Sequence, residues 1–526
     1  MLIRSQAILK KENMPSTNNK RIAKNTIYLY VRMLVVMGVS LFTVRVVLNA
    51  LGAEDYGINN VVGGVVTMFS FLTSTMISAS QRFFSYSLGK KDYKGLSEYF
   101  IMSLWCYLGM IVLIFILAET VGLWFVDKQL NIPESRKEAA FWVYQFSILS
   151  FVFHIISIPY NSIVIARERM NVYAIVGLIE VFSKLGIAYL LLISRHDKLI
   201  VYAALMFLMA LLTNLFYIVY GTKCFEECRI KRFWSDKVFK EVISYSFWSL
   251  FGAIAGVFRS QGINILLNIF FNPIVNAARA IAYQVNTAIN QFVLNFYKAV
   301  QPQITKYYAA KEKQELMKLI FRSSRYCFYL ILILSLPVLF ETPFLLGLWL
   351  KNVPDGAILF TRLVITTAIV DSTAYPLQTA TAATGTIKWY QIVTGGLLIL
   401  NLPVSWIFLR HGFPPETTMY VAIAIALVSQ VSRILFSRHL IGMSIVRYIR
   451  EVVVPIVFVS LLSLVAPAIV QNILSVSMLS SIIVMVIALL SPCAFSFAIG
   501  IPRMERRIIV GMIKQKFKMK KTTNER

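Results

Sequence analysis

FSILSFVFHIISIPYNSIVIARERMNVY, residues 146–173, decides how this chain is read, because it occurs twice. Its echo, LVITTAIVDSTAYPLQTATAATGTIKWY, occupies residues 363–390, 217 positions later. Superposed, the copies align Pro159 with Pro376, Ala166 with Ala383, Tyr173 with Tyr390 and His154 with Asp371. Each copy is an apolar run, interrupted by proline and closed by a short polar turn, as expected of a helix that crosses a membrane. Proline removes a backbone donor and crowds the turn before it, so Pro159 and Pro376 are candidate hinges.

The rest of the chain has the same character. Of its 526 residues 58% are hydrophobic and 15% charged, with mean hydropathy +0.69; ordinary soluble domains have about 45–50% and about 25%. An all-α polytopic membrane protein is expected, with about fourteen spans: 26–48, 58–80, 97–119, 139–166, 172–193, 199–221, 242–267, 276–300, 324–346, 357–384, 388–409, 417–437, 451–472 and 476–500. Threaded this way, 35 Lys and Arg fall in the tails and even-numbered loops and only 7 in the odd-numbered loops. The positive-inside rule then places both termini in the cytoplasm. The net charge of +27 is therefore a matter of topology, and no nucleic acid partner is inferred. The basic N-terminus lacks a cleavable signal pattern and reads as a cytoplasmic tail.

The duplication extends further. VVLNALGAEDYGINNVVGGV after span 1 matches ILLNIFFNPIVNAARAIAYQV after span 7, and QRFFSYSLGKKDYKGL matches QPQITKYYAAKEKQEL, placing Lys91 on Lys311. The implied organisation is a tail (1–25), a six-helix bundle (26–221), a cytoplasmic linker (222–241), a second six-helix bundle in parallel repeat (242–437), two appended helices (438–500) and a basic tail (501–526). Repeats of this kind place a binding site at their interface near the midplane.

With RVVLNALGAEDYGI at 45–58 and the turns IARERMNVY and AATGTIKWY, the chain resembles the MATE-like MOP superfamily, and within it the Wzx-type flippases of lipid-linked oligosaccharides. The resemblance implies that spans 1, 2, 7 and 8 line a central cleft. It also implies a polyprenyl-diphosphate-linked oligosaccharide as substrate, membrane lipids as surroundings, and glycosyltransferases and a glycan polymerase as partners in the bacterial inner membrane.

Ionisable groups inside spans are costly and are functional candidates. Arg32, Arg259 and Arg279 are expected to face one another across the cleft, with Arg45 further out. A guanidinium fork suits a diphosphate better than an ammonium does. Lys298, Arg433 and Arg362 lie near span ends, where long side chains snorkel. Glu180 and Lys184, at i and i+4, read as an ion pair with gating potential. Asp371, as a lone intramembrane carboxylate, is a candidate carrier of H+ or Na+, with His154 as its counterpart in the other half. No other cofactor is expected. The five cysteines show no disulfide framework, and CFEEC at 224–228 has no second ligand pair, so no metal site is expected. No P-loop, GxSxG or HExxH is present, so no enzyme is expected. A cation-coupled multidrug exporter and, behind it, a membrane glycan polymerase or ligase are the alternatives. The eight in-span basic groups named here outnumber Glu180 and Asp371 eight to two, or eight to four with the span-end Glu119 and Glu341, which favours an anionic substrate over a cationic drug.

Overall fold

The computed structural model describes residues 17–507 apart from 68, 129–131, 230, 272, 351–352, 476 and 504, so the outer parts of the two expected tails lie outside the described residues. The first half comprises α1 (Thr17–Thr67), α2 (Ser70–Lys90), α3 (Tyr93–Leu117), α4 (Lys137–Ala166), α5 (Met170–Ile193) and α6 (Lys198–Cys224). The second comprises α7 (Asp236–Val257), α8 (Ile263–Phe270), α9 (Pro273–Ala309), α10 (Lys313–Phe340), α11 (Ala357–Asp371), α12 (Ala374–Ala383), α13 (Lys388–Arg410) and α14 (Thr417–Ile441), followed by α15 (Val454–Ile473) and α16 (Met478–Phe495). The protein is all-α, and no strand occurs among the described residues.

α1 turns inside its length at Gly52, whose φ of +80° is open to glycine without steric penalty. It therefore supplies span 1 and, past the kink, the start of span 2. Among the described residues, eleven helical segments are long and apolar enough to cross a membrane, or twelve when α11 and α12, bent by 41°, count as one. The two expected spans that do not pass are 2 and 8, because α2 and α9 are studded with amides and hydroxyls: Ser74, Thr75, Ser78 and Gln81 on one, Gln284, Thr287, Gln291 and Asn295 on the other. Helices that are polar along one side inside a membrane bundle must turn that side away from lipid.

Two stretches expected outside the bundles carry structure of their own. Residues 17–25, expected as tail, belong to α1, where Arg21 ion-pairs with Glu168 at 2.6 Å. Within the expected linker 222–241, Glu226–Cys228 form a short turn, Cys228 is fully buried, Glu227 pairs with Arg167, and α7 begins at Asp236. Among the described residues no cluster of three potential metal ligands occurs.

The duplication is visible in the backbone itself. Lys91 and Lys311 have φ of 58° and 59°, and Glu168 and Gly385, which the repeat also aligns, have φ of 59° and 83°. The two prolines differ. Pro159 lies within the unbroken α4, whereas the break near Pro376 falls at Asp371–Ala374, one turn upstream, where the missing proline donor frees the Ser372 carbonyl. The Ser372 hydroxyl folds back onto Ile369 O at 2.7 Å beside the break.

The hydrophobic core is divided by half at one end of the bundle and shared at the other. Ile58, Val62, Val143 and Tyr144 form a cluster of the first half alone, and Leu266, Phe360, Val364 and Met419 one of the second half alone. At the opposite, basic end, Phe83, Phe84 and Tyr160 pack with Tyr245 and Ile387, and Leu29 and Ile165 with Ala299. α15 and α16 lie against α10, burying Val459 and Ala488 beside Leu332 and Leu336.

Candidate functional site

The polar sides of α2 and α9 meet between the halves at one cavity, and α9 also borders a second. The first, about 390 Å3, is lined from α2 by Gln81 and Arg82, from α7 by Tyr245, from α9 by Gln301, and across the bend by Gln391 and Arg433. The second, about 940 Å3, lies between α1 and α9 and is lined by Arg32, Tyr173, Gln284, Gln291, Asn295 and Lys298. Between them, among the described residues, the cavities present four cations and no carboxylate. Amides, hydroxyls and tyrosines make up most of the remaining polar lining.

Arg32 lies over the Tyr173 ring, 4.6 Å from its centroid, and the Lys298 ammonium over the same ring at 3.9 Å, donating to the Tyr173 hydroxyl at 2.8 Å. Two cations held on one ring, one from each half, form an electropositive clamp in the wider cavity. Gly177 makes room for it, because a side-chain carbon there would collide with the Arg32 guanidinium.

The expected trio of arginines is not assembled. Arg32 lines the wider cavity, but Arg259 sits in a π-turn (Phe258–Gly262) after α7 and donates to Asp371 at 3.4 Å. Arg279 is only 3% exposed: it bonds Asn264, lies over the Tyr283 ring at 4.5 Å and lines neither cavity. Both point into the second half because helical rotation turns them from the interface. Arg45 is exposed near the Gly52 kink and also lines neither cavity. Arg433 and Lys298, expected as snorkelling anchors, take the cavity positions instead. Arg433 is 9% exposed and reaches Asp371 at 3.4 Å.

Asp371 is therefore not a lone carboxylate. It lies between two guanidiniums, Arg259 and Arg433, at the break between α11 and α12. His154 is exposed on α4, with its ring beside Asn214 of α6. Glu180 and Lys184 form the expected pair at 2.7 Å. The residue that sequence reading missed is Arg82, which counted as a loop charge because span 2 was ended too early. It crosses to the second half, donating to Ala383 O at 3.1 Å and stacking on Phe83, Tyr86 and Tyr245. Its position one residue past Gln81, in a motif repeated after span 8, was the available signal.

A second crossing mirrors the first. Glu168, in the turn after α4, accepts from Gln303 at 2.8 Å and Lys306 at 2.5 Å on α9. The aligned turn after α12, at Gly385, is gripped by Arg82 of α2. These crossings lie at the basic end. The cleft is closed there.

Residues 22–308 match the family model described as polysaccharide biosynthesis protein. No curated protein sequence matches the chain. Among solved structures, the fold is similar to a multidrug resistance MATE family transporter of the MOP superfamily in an outward-facing conformation, at 14% identity and a TM-score of 0.67, covering 80% of this chain and 96% of that one. It is also similar to a MOP superfamily transporter from Pyrococcus furiosus described as having a binding pocket of reverse polarity, at 13% identity and a TM-score of 0.64, with 80% and 96% covered. A MATE structure in the straight conformation matches at 14% identity and a TM-score of 0.68, covering 81% and 96%.

Proposed function

The chain belongs to the polysaccharide biosynthesis protein family and has the MATE-like fold of the MOP superfamily, and from that premise we propose how it handles its substrate. It is a multi-pass membrane flippase for a glycan-linked substrate. We read that substrate as a polyprenyl-diphosphate-linked oligosaccharide, an O-antigen-like repeat unit, carried from the cytoplasmic to the outer leaflet of a bacterial inner membrane by alternating access of the two halves. In this reading the basic end faces the cytoplasm, the protein is a carrier and not an enzyme, and glycosyltransferases and a polymerase act before and after it.

The observation that supports this reading is the four-cation, acid-free lining of the cavities between the halves. An anion gains from such a lining and a cationic drug loses, so the multidrug alternative shares the fold but not the charge. Arg32 and Lys298 hold the diphosphate in the wider cavity, where its mouth between α1 and α9 leaves the polyprenyl chain in lipid. The amides and tyrosines around Arg82 and Arg433 hold sugars. Coupling enters at Asp371, where H+ or Na+ competes with Arg259 and Arg433 for the carboxylate.

The test is surface glycan in cells that depend on this chain. Arg32→Ala with Lys298→Ala lowers it at least tenfold at unchanged protein level. Full glycan in that variant overturns the diphosphate assignment.

A further inference from the structure

At the end of the bundle opposite the basic end, a cavity of about 620 Å3 opens between α10, α11 and the appended pair α15–α16. Phe344, Leu348, Leu474 and Val484 make much of its wall apolar, and two charges of opposite sign, Glu341 and Arg362, also line it. Glu341 is 8% exposed. The two do not pair with one another, and neither takes part in an ion pair among the described residues.

Each is instead held in place by neighbours that leave its charge unanswered. Arg362 Nε donates to Leu339 O at 3.1 Å and to Thr342 Oγ1 at 3.4 Å, which fixes the plane of the guanidinium. Its two terminal nitrogens have no partner among the described residues. Gln471 of α15 donates to Phe340 O at 3.3 Å and to Glu341 Oε1 at 3.4 Å, which ties the appended helix to the carboxylate. The second oxygen of Glu341 has no partner among the described residues. A carboxylate and a guanidinium sharing one largely apolar cavity would ordinarily neutralise each other, because leaving both charges uncompensated at low dielectric is unfavourable.

We propose that this cavity is a binding site for a zwitterionic phospholipid headgroup of the phosphatidylethanolamine type. The phosphate takes the free fork of Arg362, the ammonium takes the free oxygen of Glu341, and the acyl chains run along the apolar wall. One headgroup carries both charges in covalent proximity, so a single molecule answers both residues. An anionic glycerol headgroup satisfies Arg362 but leaves Glu341 unpaired, and free phosphate does the same without the apolar contacts. The site lies outside both inter-half cavities, so it is a lipid site of the α15–α16 attachment and does not depend on which substrate is flipped.

Native mass spectrometry of the full purified chain, offered equal phosphatidylethanolamine and phosphatidylglycerol, tests the assignment. The wild type retains one phosphatidylethanolamine with at least tenfold preference, and millimolar inorganic phosphate does not displace it. Glu341→Gln keeps a bound phospholipid but loses the preference, whereas Arg362→Gln loses retention of both lipids. If Arg362→Gln does not elute as a monodisperse species, Arg362→Lys replaces it, and tenfold weaker retention is expected from a charge without a fork. Equal retention of the two lipids by the wild type overturns the proposal. So does displacement by phosphate, which makes the cavity a simple anion site, or a pattern unmoved by either substitution.

Discussion

Asp371 shows how far a single residue could be read. The sequence marked it as intramembrane and as the residue that stands opposite His154 in the copies of a repeated helix. It could not show that Arg259 and Arg433 flank it at 3.4 Å each, because both come from other helices. The same limit separated Arg32 from Arg279: a helix apolar on most sides carries little periodic signal, so its rotation is set by partners and not by its own pattern. Flanked in this way, Asp371 is a counter-ion first, and any coupling ion must displace an arginine. Asp371→Asn is expected to abolish the dependence of flipping on a proton or sodium gradient, measured in vesicles with imposed gradients. It should also destabilise the protein by about 2 kcal/mol, less than the ~3–5 kcal/mol for breaking a fully buried pair, because the carboxylate side chain is 26% exposed. Full gradient dependence in that variant removes Asp371 from coupling.

Elements were more legible than residues, and the departures have local causes. Twelve of fourteen spans stand out by hydropathy because lipid-facing helices must be apolar; α2 and α9 do not, because the cavities they border need polar groups. The turn repeated after α2 and α9 was visible as Lys91 on Lys311, although its backbone was not. Both residues are left-handed, a conformation that costs a side chain about 1–2 kcal/mol. Lys91→Gly and Lys311→Gly should each raise stability, by roughly 0.5 kcal/mol after the greater freedom glycine gives the unfolded chain. Thermal unfolding in detergent measures this, and a lowered midpoint would show that the lysines hold the turn through contacts.

A second element-level contact joins the far end of the first half. Arg136 forks between Asp55 at 2.6 Å and Asp197, the N-cap of α6, also at 2.6 Å. Partial burial alone would raise the Asp197 pKa, but the Arg136 hydrogen bond and the Ile200 and Leu199 amides outweigh it and hold the carboxyl below its ordinary value. A depressed carboxylate contributes stability that is complete above the unfolded pKa of about 3.9 and is lost as pH falls through the lower folded value. Thermal midpoints should therefore not vary through Asp197 between pH 8 and 5 and should fall below about pH 4. Asp197→Asn should flatten that acid limb, and an unchanged limb assigns it to other carboxyls.

At the scale of the whole molecule, the duplication gives the halves two aligned turns, and each is clasped by the opposite half. Where the second half uses Gly385 for its left-handed turn, the first uses Glu168, with φ of 59° and a fully buried side chain. Strain kept in place of an available glycine points to a use for the carboxylate. That use is the clasp: Glu168, held by Arg21 of its own half at 2.6 Å, binds Lys306 at 2.5 Å and Gln303 at 2.8 Å across the interface, holding the basic end shut while the opposite end has no shared core among the described residues. Closure at one end is a population and not a fixture, so weakening the clasp must raise the fraction open to that side. Glu168→Gln leaves Lys306 without its counter-charge. A loss of about 2 kcal/mol from the closed state corresponds to roughly a 30-fold shift toward the form open at the basic end. Thr305 lines the narrower cavity beside the clasp and is 3% exposed, so a Thr305→Cys reporter is shielded while the clasp holds. Its labelling by a membrane-impermeant maleimide offered on the side of the basic end should accelerate when Glu168→Gln is added, and flipping should slow because the return to the closed form is disfavoured. Unchanged labelling at normal protein level would mean that the shared hydrophobic cluster of Phe83, Tyr245 and Ile387, and not the charge, keeps the basic end closed.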